Sequence, residues 1–106
     1  MPVQVRGASD AILNAVMEAL REYEADHPRA EIEGFRQNSV AIRVRIIDPD
    51  FRGVSRAERH EAIWRVLEDL PEEVQSQLST ILLLAPNETA GSFANFEFDA
   101  PIPSTL

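Results

Sequence analysis

At 106 residues, 44% of them hydrophobic and 26% charged, the chain has the size and composition of one globular domain with a single core; disorder and membrane spans are excluded, since no apolar run approaches the roughly 20 residues a bilayer requires. It contains no cysteine, which removes disulfides, thiolate zinc sites, thiol nucleophiles and any iron–sulfur cluster held by the chain's own sulfur. The net charge of −8, with arginine supplying all ten basic residues, disfavours phosphate backbones as partners and favours solubility.

Met1-Pro2-Val3-Gln4-Val5-Arg6 has neither a basic n-region nor an apolar h-region, so a cytoplasmic location is expected. Ser9 or Asp10 can cap a first helix over 10–25, in which Ile12, Leu13, Val16, Met17, Leu20 and Tyr23 recur at three- and four-residue spacing. Pro28 stops it. Glu31 to Arg36 reads as a short strand, Gln37-Asn38 as a turn, and Val40, Ile42, Val44 and Ile46 alternate with Ala41, Arg43 and Arg45 in a second strand. The pair forms an antiparallel hairpin with Arg43 and Arg45 on the face away from Val44 and Ile46.

Asp48-Pro49-Asp50-Phe51-Arg52-Gly53 is a loop by composition. Ser55 and Glu58 have capping-box spacing at the start of a second helix, about 55–70, with Ile63, Val66, Leu67 and Leu70 inward. After Pro71 and a short acidic turn, Thr80 to Ala85 is apolar and short enough for a central strand, which Pro86 ends. The expected fold is α+β, ordered α-β-β-α-β: a three-stranded mixed sheet with two helices packed on one face. Residues 1–88 form this domain. Residues 89–106 make a C-terminal tail, either loosely packed, a short strand built on Phe96 and Phe98, or a docking segment.

Candidates for catalysis are thin, and no enzyme is expected. His27 lies at the end of the first helix and reads as structural, favoured there by the helix dipole. His60 shares a side of the second helix with Ile63, Trp64 and Leu67, where a partly buried histidine is the common outcome. These are the only imidazoles, so a self-contained zinc site would need carboxylates from distant segments. The glycines at 7, 34, 53 and 91 form no phosphate-binding loop and no G-x-x-G clamp. Seven of the ten arginines fall between positions 36 and 65 against four acids, so a local cationic face is open as a reading, beside one of scattered, offset charges.

Phe51-Arg52-Gly53-Val54-Ser55-Arg56-Ala57-Glu58-Arg59-His60 carries F-x-G followed six residues later by R-H, leading into a helix with Ile63, Trp64 and Leu67. This resembles the signature of the BolA-like family, over roughly residues 10–88, and the implied fold is BolA-like, similar to the KH arrangement. Physically, Gly53 permits a sharp turn, Phe51 plugs the space beneath, and Arg59 forks to loop carbonyls or carboxylates. The resemblance further implies partnership with a monothiol glutaredoxin, a shared [2Fe–2S] cluster in iron handling and stress response, and DNA binding in some members.

Two positions depart from the pattern: Gln77 stands where the family usually has a ligand histidine before the last strand, and Asn38 where many members have cysteine or histidine in the hairpin loop. An amide is not an iron ligand of the usual kind, so no cluster is expected on the chain alone. The leading expectation is a non-enzymatic interaction module that binds a protein partner through Phe51, Gly53, Arg56, Arg59, His60 and Trp64. The alternative is a nucleic-acid-binding regulator using Arg43, Arg45, Arg52, Arg56 and Arg59; a third is metal or cluster binding through His60 or His27 completed by partner ligands.

Overall fold

The structure, a computed structural model, describes residues 3–100. Asp10 opens the first helix, α1 (Ala11–Asp26), by accepting the backbone N–H groups of Ile12 and Leu13. Arg36 donates two bonds to the same carboxylate, and together these hold Asp10 at about 2, well below the usual range. Leu13, Val16, Met17, Leu20 and Tyr23 are buried, as their spacing predicts.

The hairpin forms from β2 (Glu31–Asn38) and β3 (Ala41–Ile47), with Ile32 opposite Ile46, Gly34 opposite Val44, Glu33 opposite Arg45 and Phe35 opposite Arg43. The first two pairs face α1, and the last two face away. A Cβ at Gly34 would stand 2.6 Å from the Met17 sulfur, which is how closely α1 approaches this strand.

Helix α2 (Arg56–Leu67) starts at Ser55, whose hydroxyl accepts the Glu58 N–H and donates to the Glu58 carboxylate. It ends three residues before the expected boundary because the Gln75 amide, from the one-turn helix α3 (Glu72–Gln75), donates to the carbonyls of Leu67, Glu68 and Leu70. β4 (Leu78–Leu84) then runs parallel to β3. The α+β architecture is therefore the expected one, with α1 and α2 over one face of a mixed sheet.

Two elements add to it. β1 (Val3–Val5) pairs parallel with β2, giving a four-stranded sheet in the order β1-β2-β3-β4 in place of three strands. Three residues are too short for a periodic signal, so the sequence left them unassigned. After a 3₁₀ segment at Pro86–Gly91, Ser92 caps α4 (Phe93–Asp99), so Phe96 and Phe98 lie in a helix and not a strand. Residues 101–106 of the tail lie outside the described residues.

α4 covers the second face of the sheet. Phe98 is buried edge-on against Phe35, with centroids 5.0 Å apart. Arg43 pairs with Glu97, while Arg45 bonds Glu33, Asn95 and Asp99. Arg6 stacks on both phenyl rings and donates to the Phe98 carbonyl. No helix among the described residues is long and apolar enough to cross a membrane.

Candidate functional site

The Phe51–His60 segment is built around one turn and one buried arginine. Phe51 to Val54 closes as a type II turn: Arg52 has φ −59° and ψ 128°, the third residue, Gly53, has φ +73°, and the Val54 N–H returns to the Phe51 carbonyl. Glycine suits that last position because a Cβ there strains the backbone even though space is open around it. Phe51 is buried under the turn, and its ring lies 5.4 Å from the Arg59 guanidinium.

Arg59 is 6% exposed and joins three segments. Its guanidinium donates to the carbonyls of Phe51, Val54 and Leu83 and forks onto both oxygens of Glu88. The Arg59 bonds, reinforced by the Ala85 N–H, hold the Glu88 carboxyl at about 2. Phe51, Gly53 and Arg59 therefore tie the loop to the end of β4, the architectural role read for them from the sequence.

Beside this junction lies a cleft of about 760 Å³, bounded by the start of α2, the outer edge of β4 and the entry to α4. Arg56 and His60 line its helical wall, and Phe93, 79% exposed, lines the other. Trp64, one turn beyond His60, is 41% exposed, so Arg56, His60 and Trp64 form a stripe at i, i+4 and i+8. The expectation that His60 is partly buried is corrected here. The inward face of α2 runs through Arg59, Ile63 and Leu67, and His60 falls outside it.

β4 is an edge strand, and only its β3 side is paired. The Leu84 carbonyl accepts from Asp48 on that side, so by alternation Ile81 and Leu83 turn their backbone groups to the cleft. Arg59 takes the Leu83 carbonyl. Ile81 presents a donor and an acceptor to anything that lies along the edge.

The arginines grouped by the sequence as a possible nucleic-acid surface are not brought together. Arg43 and Arg45 sit beneath α4, neutralised by its acids, and Arg59 is buried at the loop. Arg52 and Arg56 are exposed, and Arg56 lines the cleft beside Arg59. His60 has no ligand group of its own: among the described residues, only His27, Asp48 and Asp50 cluster at metal-ligating distance. Asn38 and Gln77 both lie at the hairpin end of the sheet, Asn38 opposite Ala41 and the Gln77 carbonyl accepting from the Ile42 N–H, toward the opposite end of β4 from Arg59.

No protein-family model and no curated protein matches the chain. Among solved structures, it is similar to the BolA domain of SufE1 from Arabidopsis thaliana, with 27% sequence identity, a TM-score of 0.49, and coverage of 76% of this chain and 99% of that one. The family in that description is the one the Phe51–His60 segment resembles.

Proposed function

We propose that the chain is a non-enzymatic protein-interaction module of BolA-like type, and that its partner docks in the cleft between α2 and β4. The observation that carries this reading is the conjunction of an unpaired strand edge at Ile81 with the exposed stripe of Arg56, His60 and Trp64 beside it. An extended partner segment can add to an open edge through backbone bonds, while flanking aromatic residues supply the apolar anchors found at interface hot spots. Phe93 lines the cleft, and Trp64 is exposed one turn of α2 beyond His60. An open edge also needs cover on physical grounds, because unpaired strand edges invite indiscriminate association.

The partner in this reading is a monothiol glutaredoxin, as the resemblance implies, and the chain acts in the cytoplasm. It holds no [2Fe–2S] cluster alone, since Asn38 and Gln77 occupy the positions from which relatives supply ligands. A titration of ¹⁵N-labelled protein with a monothiol glutaredoxin, once apo and once carrying its cluster, tests the assignment. Amide shifts at Arg56, His60, Trp64, Ile81 and Phe93 in both titrations are expected. An unshifted spectrum in both removes the glutaredoxin, and shifts restricted to Asn38 and Gln77 move the docking surface to the other end of the sheet.

A further inference from the structure

A second cluster, separate from the cleft, gathers where α1 ends and β3 runs into the loop. His27 Nδ1 lies 2.9 Å from an Asp50 carboxylate oxygen and 3.4 Å from one of Asp48. One ligand atom from each residue lies within 4.8 Å of the others. We propose that His27, Asp48 and Asp50 bind a first-row divalent metal ion of the Zn²⁺ or Mn²⁺ class.

Asp48 is the strongest reason. Its carboxylate is fully buried, and no arginine among the described residues pairs with it. Other carboxylates tied into the fold are met by arginine, Asp10 and Glu88 each by a fork and Glu33, Glu97 and Asp99 by Arg45 or Arg43. Asp48 instead meets the Tyr23 hydroxyl, the Asp50 N–H and the histidine. Buried charges as a rule are paired or coordinate a metal.

The ligands are also held in place. The His27 ring stacks on Tyr23, with centroids 4.1 Å apart and planes 8° from parallel, while the Tyr23 hydroxyl donates to Asp48. One residue thus orients both the imidazole and the buried carboxylate, as outer partners do around metal ligands. Arg29 binds the Asp50 oxygen that does not face His27, leaving the facing one for the ion. The half-buried His27 and the exposed Asp50 give access from solvent.

The donor set selects the ion. Bonds of roughly 2.0–2.2 Å in tetrahedral geometry place neighbouring ligand atoms about 3.3–3.6 Å apart; His27 Nδ1 and the Asp48 oxygen already stand 3.4 Å apart, while the 2.9 Å contact with Asp50 must open slightly. An imidazole nitrogen with two carboxylate oxygens suits zinc or manganese better than calcium or magnesium, which favour oxygen alone. Three protein ligands leave a position for water.

The test uses the full chain without a histidine tag. Calorimetric titration with Zn²⁺ should give one saturable site per chain, at least about tenfold weaker in His27→Ala and in Asp50→Asn. His60→Ala should bind as the unaltered protein does. In the unaltered protein, Mn²⁺ should broaden amide signals around residues 27 and 48–50 first, which needs no variant to remain folded. Absence of saturation up to about 1 mM, a Kd of only about −4 kcal/mol in free energy, overturns the proposal. So does equal binding by both variants, or broadening centred on other acids.

Discussion

The two sides of α2 carry adjacent residues to opposite ends. Arg59, Ile63 and Leu67 are buried, whereas Arg56, His60 and Trp64 face solvent. Successive residues on a helix are about 100° apart, so the pair Arg59-His60, which reads as one motif, is split between fold and surface. The residues that make the segment recognisable are mostly those that shape the loop. The solvent-exposed positions lie one step along the helix from them.

The largest expected effect falls on the inner side. Arg59→Ala leaves Glu88 and three carbonyls without their donor, and breaking such a network costs about 3–5 kcal/mol; urea unfolding should show a lower midpoint, and an unchanged midpoint would sink the distinction. Gly53→Val places a β-branched residue at φ +73° and should cost about 1–3 kcal/mol by the same measurement. Acid unfolding sharpens it further. Glu88 has its carboxyl lowered from 4.5 to about 2, so its stabilising contribution is present above about pH 4.5 and is lost as pH falls toward 2. Glu88→Gln should remove that part of the acid limb while lowering stability at neutral pH.

The smallest stability effects belong to the outer side. Trp64→Ala and His60→Ala should leave the unfolding midpoint nearly unchanged, while partner affinity falls, for Trp64 by about 2 kcal/mol or more if it is an anchor. Loss of stability in these variants, or unaltered affinity, would erase the contrast between the two sides of the helix.

Local rules made much of the fold legible. The α1 spacing, the alternation of Ile42, Val44 and Ile46 through β3, the Ser55 cap and the role of Gly53 each depend on a few neighbouring residues, and each is found; the hairpin turn instead falls at Ser39-Val40, with Gln37 and Asn38 inside β2 and Val40 exposed. The residues read as inward, Ile63, Val66, Leu67 and Leu70, are found in or against the core, but His60 on α2 is exposed, because hydrophobicity does not show that Arg59 takes the inward place next to it; the arginine is buried there because carbonyls and Glu88 converge on it from elsewhere. α4 carried a usable signal in the Ser92 cap, yet its reason for docking, the acids that meet Arg43 and Arg45, lies 54 residues away in sequence. The gathering of His27 with Asp48 and Asp50 was hidden in the same way. The sequence showed that carboxylates from a distant segment would be needed, but not that the fold delivers them.

Arg6 bears on the order in which the protein assembles. Its bond to the Phe98 carbonyl spans 92 residues, the longest separation of any side-chain bond described here. Closing so long a loop is entropically expensive until intervening structure has shortened it. The β2–β3 hairpin can form early from neighbouring residues, and the clasp between the two ends of the described chain closes late. Its release should be the first step of opening under native conditions, so amides of β1 and α4 should exchange with solvent well before those of the hairpin.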